Sequence, residues 1–259
     1  MKVFIMTDLE GVSGVDSIDM MDESGNGYRE ACRRLMADTN AAVQGAVDAG
    51  ASEILVYDGH GLGKNFPAGG LDRRARQVWN FNDPGLWDNC AAYLEIGLHA
   101  MAGTANAFLE HTQSSVRWYN YFINDRPYGE LAQGAAYCGA YGVPVVMVSG
   151  DRAACAEAAE LIPGIECAVV KRAIGRNRAE SIALEEAERR IRKAARKGIC
   201  NAAGIAPFRI SLPAELRVEY CRVDYCEEML KDHPERKRVD SRSLMRTITK
   251  IETYNDLQP

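Results

Sequence analysis

The chain has 259 residues, 47% of them hydrophobic, and a formal net charge of −5. That is enough apolar material for one large core or two smaller ones, and the mild acidity gives no electrostatic footprint for nucleic acid. No window approaches the roughly 18 consecutive apolar residues of a membrane helix, and Asp8 cuts the run Met1–Met6 too short for a signal peptide, so a cytoplasmic protein is expected.

The first predicted strand covers residues 2–8 and runs into Asp8-Leu9-Glu10-Gly11, an apolar run that stops at two carboxylates spaced i, i+2. In extended chain such residues point to one side. Taken alone the pattern also fits a turn with its acids in solvent. Residues 27–50 carry an apolar stripe at helical spacing (Cys32, Leu35, Met36, Ala42, Val43, Ala46) and stop at Gly50. Glu53–Asp58 reads as the second strand, so strand, helix and strand form a βαβ unit. It ends in Asp58-Gly59-His60-Gly61, which places a histidine in a glycine loop at a strand's carboxyl edge. Neither a P-loop nor a G-x-G-x-x-G is present, so phosphate cradling is not supported.

Residues 66–90 read as a loop with one short helix, and Ala91–Ile96 as a third strand followed at once by Gly97-Leu98-His99. Glu110-His111-Thr112 closes a segment of small residues. Residues 116–123 are aromatic and β-branched, a strand pattern. After the turn Asn124–Pro127 comes a small-residue helix whose first turn holds Glu130. Residues 143–148 and 166–171 read as strands around a helix at about 151–161. From about 175 the texture changes, with a charged helix over 178–197 and half-polar strands at 208–212, 215–221 and 243–251. The eight cysteines form no C-x-x-C pair and sit among small or apolar residues, as reduced thiols do.

The expected fold class is therefore α/β, a mostly parallel sheet with flanking helices, plus a smaller C-terminal α+β subdomain. The expected division is 1–172 for the catalytic domain and 173–259 for a subdomain serving substrate channel or assembly. In a parallel sheet the strand ends converge on one edge. That brings Asp8, Glu10, His60 and His99 near Glu130 at its helix start. Three carboxylates and two imidazoles suit two divalent metals of hydrolytic type, with positions left open for water.

These stretches, together with Thr7–Gly14, Gly97–Ala100 and Tyr121–Leu131, occur in an order that resembles the DppA-type D-aminopeptidases over nearly the whole chain. The resemblance implies that Asp8, Glu10, His60, His99 and Glu130 bind two zinc ions with Asp8 shared, and that His111 is catalytic rather than a ligand. It also implies cleavage of N-terminal D-residues from short peptides and a large homo-oligomer, a decameric ring. Asn124 and Arg126 are candidate substrate-positioning groups. Residues 73–89 and the C-terminal part depart from the family pattern, and these regions bear on substrate choice and assembly. Two other readings stand beside this one: a different binuclear amidase or hydrolase on the same scaffold, and a non-catalytic metal-binding assembly protein.

Overall fold

A computed structural model describes residues 1–258. In chain order the elements begin β1 (Lys2–Thr7), α1 (Asn26–Asp48), β2 (Glu53–Asp58), β3 (Ala75–Val78), β4 (Cys90–Leu98), β5 (Trp118–Ile123), β6 (Arg126–Pro127) and α2 (Glu130–Ala140). They continue β7 (Val145–Asp151), α3 (Arg152–Leu161), β8 (Glu166–Gly175), β9 (Arg178–Ser181), α4 (Leu184–Cys200), β10 (Ala214–Tyr220), α5 (Val223–Asp232), β11 (Lys237–Arg238) and β12 (Ser243–Ile248).

Seven strands form one sheet in the order β3-β2-β1-β4-β7-β8-β9, parallel throughout except for the β8–β9 hairpin at its edge. The other five form an antiparallel sheet, β11-β12-β10-β5-β6. The expected class, a mostly parallel sheet with flanking helices and a smaller α+β part, is what the chain adopts. β1 and β4 lie at the centre, which is why Val3, Phe4, Ile5, Ala92, Tyr93 and Leu94 are wholly buried. A parallel strand covered on both faces needs an apolar run; β1 supplies one, and β4 does so except at Glu95. Among the described residues no helix is long and apolar enough to cross a membrane.

Sheet membership interleaves across residue 172. β5 and β6 precede it but pair in the antiparallel sheet, while β9 follows it in the parallel sheet and α4 packs against α1. Gly45 makes that helix contact close, since a Cβ there would lie 2.5 Å from the Arg192 carbonyl oxygen.

Three local expectations are corrected. Residues 66–90 hold the strand β3 as well as a short 3-10 turn at Pro84–Trp87. The helix expected over 178–197 begins only at Leu184, because Gly175-Arg176-Asn177 turns the chain back and Arg178–Ser181 pairs with β8. Residues 208–212 join no sheet: Pro207 and Pro213 bracket them, and the Phe208 carbonyl instead packs onto Gly139, where a Cβ would meet it at 1.9 Å.

Candidate metal centre

β1 ends at Thr7, so Asp8 and Glu10 lie in the turn beyond it rather than on one side of an extended strand. The turn is folded under the end of β4. Asp8 N donates to the Ile96 carbonyl at 2.8 Å and Gly11 N to the Gly97 carbonyl at 2.7 Å. The approach is too close for side chains: a Cβ on Gly11 would sit 2.1 Å from the Leu98 oxygen, and one on Gly97 (φ +77°) 2.2 Å from the Asp8 oxygen. Lys171, fully buried from β8, donates to the Glu10 carbonyl at 2.9 Å and also to that of Val15, while its ammonium stands 4.9 Å from the centre of the Phe108 ring. Buried Asp38 accepts from Ser13 N at 2.8 Å and Ser13 Oγ at 2.7 Å. Two charged groups from α1 and β8 thus hold the turn that carries the carboxylates. Burial lowers Lys171 to about 8 and raises Asp38 to about 6.

The sequence-predicted residues come together. His60 Nδ1 lies 3.2 Å from Asp8 Oδ1 and 3.0 Å from Glu10 Oε2. His99 Nε2 lies 3.4 Å from both Asp8 Oδ2 and Glu130 Oε1. His111 Nε2 is 3.9 Å from the same Glu130 oxygen. The donor atoms of Asp8, Glu10 and His99, and those of His99, His111 and Glu130, form two groups each spanning under 4.8 Å. The second group contains His111, which the sequence reading kept apart from the ligands.

Neighbouring main chain aims these imidazoles. His99 Nδ1 is 2.9 Å from the Ala100 carbonyl and His111 Nδ1 is 2.8 Å from that of Leu109. A ring that donates from Nδ1 presents the Nε2 lone pair to the site. The two rings stack with centroids 3.9 Å apart. Leu109 and Gln113, on either side of His111, have φ of 51° and 60°, left-handed conformations unusual for such side chains. Gln113 N donates to Glu130 Oε1 at 2.6 Å.

Electrostatically the cluster is short of positive charge. Burial raises Asp8, and the charge of Glu10 adds to that rise. Glu10 is pushed up by burial too, but His60 prevails and carries it well below the usual carboxylate range. Burial opposes charge on the histidines, yet Glu10 and Asp8 lift His60 to about 11, and Glu130 and Asp8 lift His99 well above its ordinary value. Asp8 Oδ2 and Glu10 Oε2 are buried, and the histidine nitrogens beside them, 3.4 and 3.0 Å away, do not meet them with hydrogen-bond geometry. Orphaned buried acceptors need an explanation, and a cation supplies one. Nitrogen and oxygen donors without cysteine fit zinc or a similar divalent ion in a hydrolytic rather than a structural site.

The cluster opens into a cavity of about 470 Å³ lined further by Tyr57, Phe81, Tyr93, Glu95, Gln113 and Tyr254. Phe81 and Asn82, from the 73–89 stretch, reach the cavity, whereas Trp79 points to solvent. Asn124 and Arg126 do not reach it. Asn124 brackets a turn through Ser211 and Glu215, and Arg126 is exposed beside Glu160. Sequence reasoning missed Lys171, Asp38, Gln113, Tyr254 and Glu95. Only Glu95 carries a sequence signal, an acid inside the apolar run Ala92–Ile96.

A model of the D-aminopeptidase family matches residues 1–257. The chain belongs to that family. A D-aminopeptidase of Bacillus subtilis (strain 168) is 33% identical over 194 residues, which cover 73% of this chain and 70% of the relative. Among solved structures, the Zn-dependent D-aminopeptidase DppA from Bacillus subtilis, described as a self-compartmentalizing protease, superposes with a TM-score of 0.92 at 26% identity. That match covers 99% of this chain and 95% of the other, so family likeness extends over both sheets as well as the metal centre.

Proposed function

We propose that this chain is a zinc-dependent aminopeptidase that removes N-terminal residues of D configuration from short peptides or amides. The observation that carries the proposal is the pair of donor clusters joined at His99, with two orphaned carboxylate oxygens, opening into a cavity. In this reading Asp8, Glu10, His60, His99 and Glu130 hold two zinc ions, with Asp8 between them. Bound zinc supplies Lewis-acid polarisation of a carbonyl and lowers the pKa of water.

The rest falls to the chain's own groups. His111 is fixed by its Leu109 contact so that Nε2 faces the cluster, where it can hold a proton and deliver it to the leaving amine. Gln113 fixes Glu130 through its backbone N–H, and Gln113 Nε2 reaches the Tyr254 hydroxyl at 2.8 Å, tying the metal side of the cavity to its far wall. No arginine or lysine lines the cavity, which speaks against phosphoryl substrates.

The division at 172 is functional in this proposal. Residues up to 172 carry the metal ligands, and residues 173–259 supply the wall formed by Tyr254 and Asn255 together with the surfaces for assembly into a large homo-oligomeric ring. Support for the ring comes from the self-compartmentalizing relative. Light scattering on the purified protein measures its copy number.

The deciding experiment combines elemental analysis with a substrate panel. Two zinc equivalents per chain are expected, with hydrolysis of D- but not L-amino-acid p-nitroanilides, lost to chelator and restored by zinc. Phosphate-ester hydrolysis, or L-preference at equal zinc content, would sink the proposal.

A further inference from the structure

The cavity continues past the metal centre along the face of the parallel sheet, and its floor is acidic where an apolar strand residue is expected. Glu95 is only 3% exposed. The neighbouring Tyr93 hydroxyl is buried with no partner of good hydrogen-bond geometry among the described residues, and the Glu95 carboxyl stands within its reach. Both face α2 at Gly134. A Cβ there would lie 2.6 Å from Glu95 Oε1 and 2.9 Å from the Tyr93 oxygen, so the missing side chain makes the room for them. The walls of this pocket are aromatic: Tyr57 stacks on Phe81 with centroids 5.3 Å apart, and Phe81 meets Tyr254 at 5.0 Å.

Position along the strand says what this floor can touch. Glu95 pairs with Met6, two residues before Asp8. Thr7, where β1 ends, is about 3.3 Å further along, and the turn that carries Asp8 lies beyond it. An aminopeptidase substrate has nothing before its N-terminal residue, so cavity beyond the reacting carbonyl receives that residue alone. Its α-nitrogen, bonded to the carbon next to the carbonyl, stays beside the metal-centre carboxylates. Only the side chain extends further, and a linear one ending in a donor spans the interval.

Resting on the aminopeptidase reading, we propose that Glu95 and the Tyr93 hydroxyl form the polar floor of the pocket for the side chain of the substrate's N-terminal residue. The pocket selects a cationic side chain of lysine or ornithine type. Aromatic walls suit its methylene stem, and the Glu95 carboxylate and Tyr93 oxygen accept from its ammonium. Burial holds the Glu95 carboxyl well above the usual range, against a lowering contact from the Tyr93 hydroxyl and with Glu130 and Asp8 adding to the rise. An ammonium against it favours the ionised form. A nonpolar side chain offers neither group a partner, which is how such pockets reject the wrong substrate.

The test is calorimetric binding of D-lysinamide and D-norleucinamide, which differ by the terminal amine, to the zinc-loaded protein and to Glu95→Gln and Glu95→Leu. The expected preference of the wild type for D-lysinamide is about 10- to 100-fold. Glu95→Gln should bring the two ligands to near parity, and Glu95→Leu should invert the order, with zinc content unchanged in both. Equal binding by the wild type, or an unaltered ratio in Glu95→Gln, overturns the assignment. The ligand comparison on the wild type alone decides the matter if a variant does not fold. Hydrolysis of D-alanine p-nitroanilide without any lysine preference would refute this pocket and leave the aminopeptidase reading standing. Lysine preference in binding with no hydrolysis of any amide would do the reverse.

Discussion

Gly97→Ala tests whether the close approach of β4 to the Asp8 turn builds the metal centre. Gly97 has φ +77°, and an added Cβ would lie 2.2 Å from the Asp8 oxygen and 2.6 Å from Val12 Cγ2. Ordinary contact begins at 3.4 Å, so the Asp8 main chain must retreat by more than about 1 Å. Two costs add: about 1–2 kcal/mol for a left-handed alanine and about 1–3 kcal/mol for overpacking. Their sum, about 2–5 kcal/mol, corresponds to roughly 4–20 °C in Tm for a chain of this size. Misplacement of a catalytic group by an ångström can cost about 10²-fold in rate, so zinc binding and turnover should fall further than stability does. Gly50→Ala is the control. Gly50 has φ +86° with nothing within 4 Å, so it bears the backbone cost alone. Calorimetry and zinc analysis on both variants check the argument. If the two lose the same stability and Gly97→Ala keeps its zinc and turnover, the close approach does not set the carboxylate.

Two further outcomes follow from the site. His111→Ala should keep its zinc while turnover falls by about 10²–10⁴-fold, whereas Asp8→Ala should lose zinc as well as activity. Loss of zinc from His111→Ala would move His111 into the ligand set. Asp38, raised on folding to about 6 from 3.8, favours the native state when protonated, so its contribution is full below about pH 4 and is lost as pH rises through 6. Relative to metal-free Asp38→Asn, metal-free wild type should therefore weaken by up to about 3 kcal/mol between pH 4 and 7, measured by urea unfolding. A pH-independent difference would show that Asp38 titrates normally.

The parallel sheet and the clustering of the candidate ligands were legible because local patterns encode them. Strands β1, β2 and β4 are apolar runs ended by Gly, Asp or His, and parallel pairing brings such ends to one edge. Glu130 was readable as an acid at a helix start. The mechanism expected for the Asp8–Glu10 pair was wrong in detail: the carboxylates converge through a turn pinned by Gly11, Gly97 and Lys171, contacts made across long stretches of sequence. Glu95 escaped notice because a single acid in an apolar strand says nothing of the glycine facing it from α2. Tyr254 lines the cavity through packing that no local periodicity records. Residues 208–212 alternate like a strand, but the bracketing prolines deny them a ladder.

The cavity draws most of its lining, candidate ligands and aromatic residues alike, from residues 6 to 134, and closes it with Tyr254 and Asn255 from the far end of the chain. Roughly 120 residues of synthesis separate them, about 6–24 s at ribosomal rates. Lys171, which holds the turn under the carboxylates, emerges within that interval, so the acidic centre can set before the last wall of the pocket is made. The order of translation thus completes the cavity only when the fold is nearly whole.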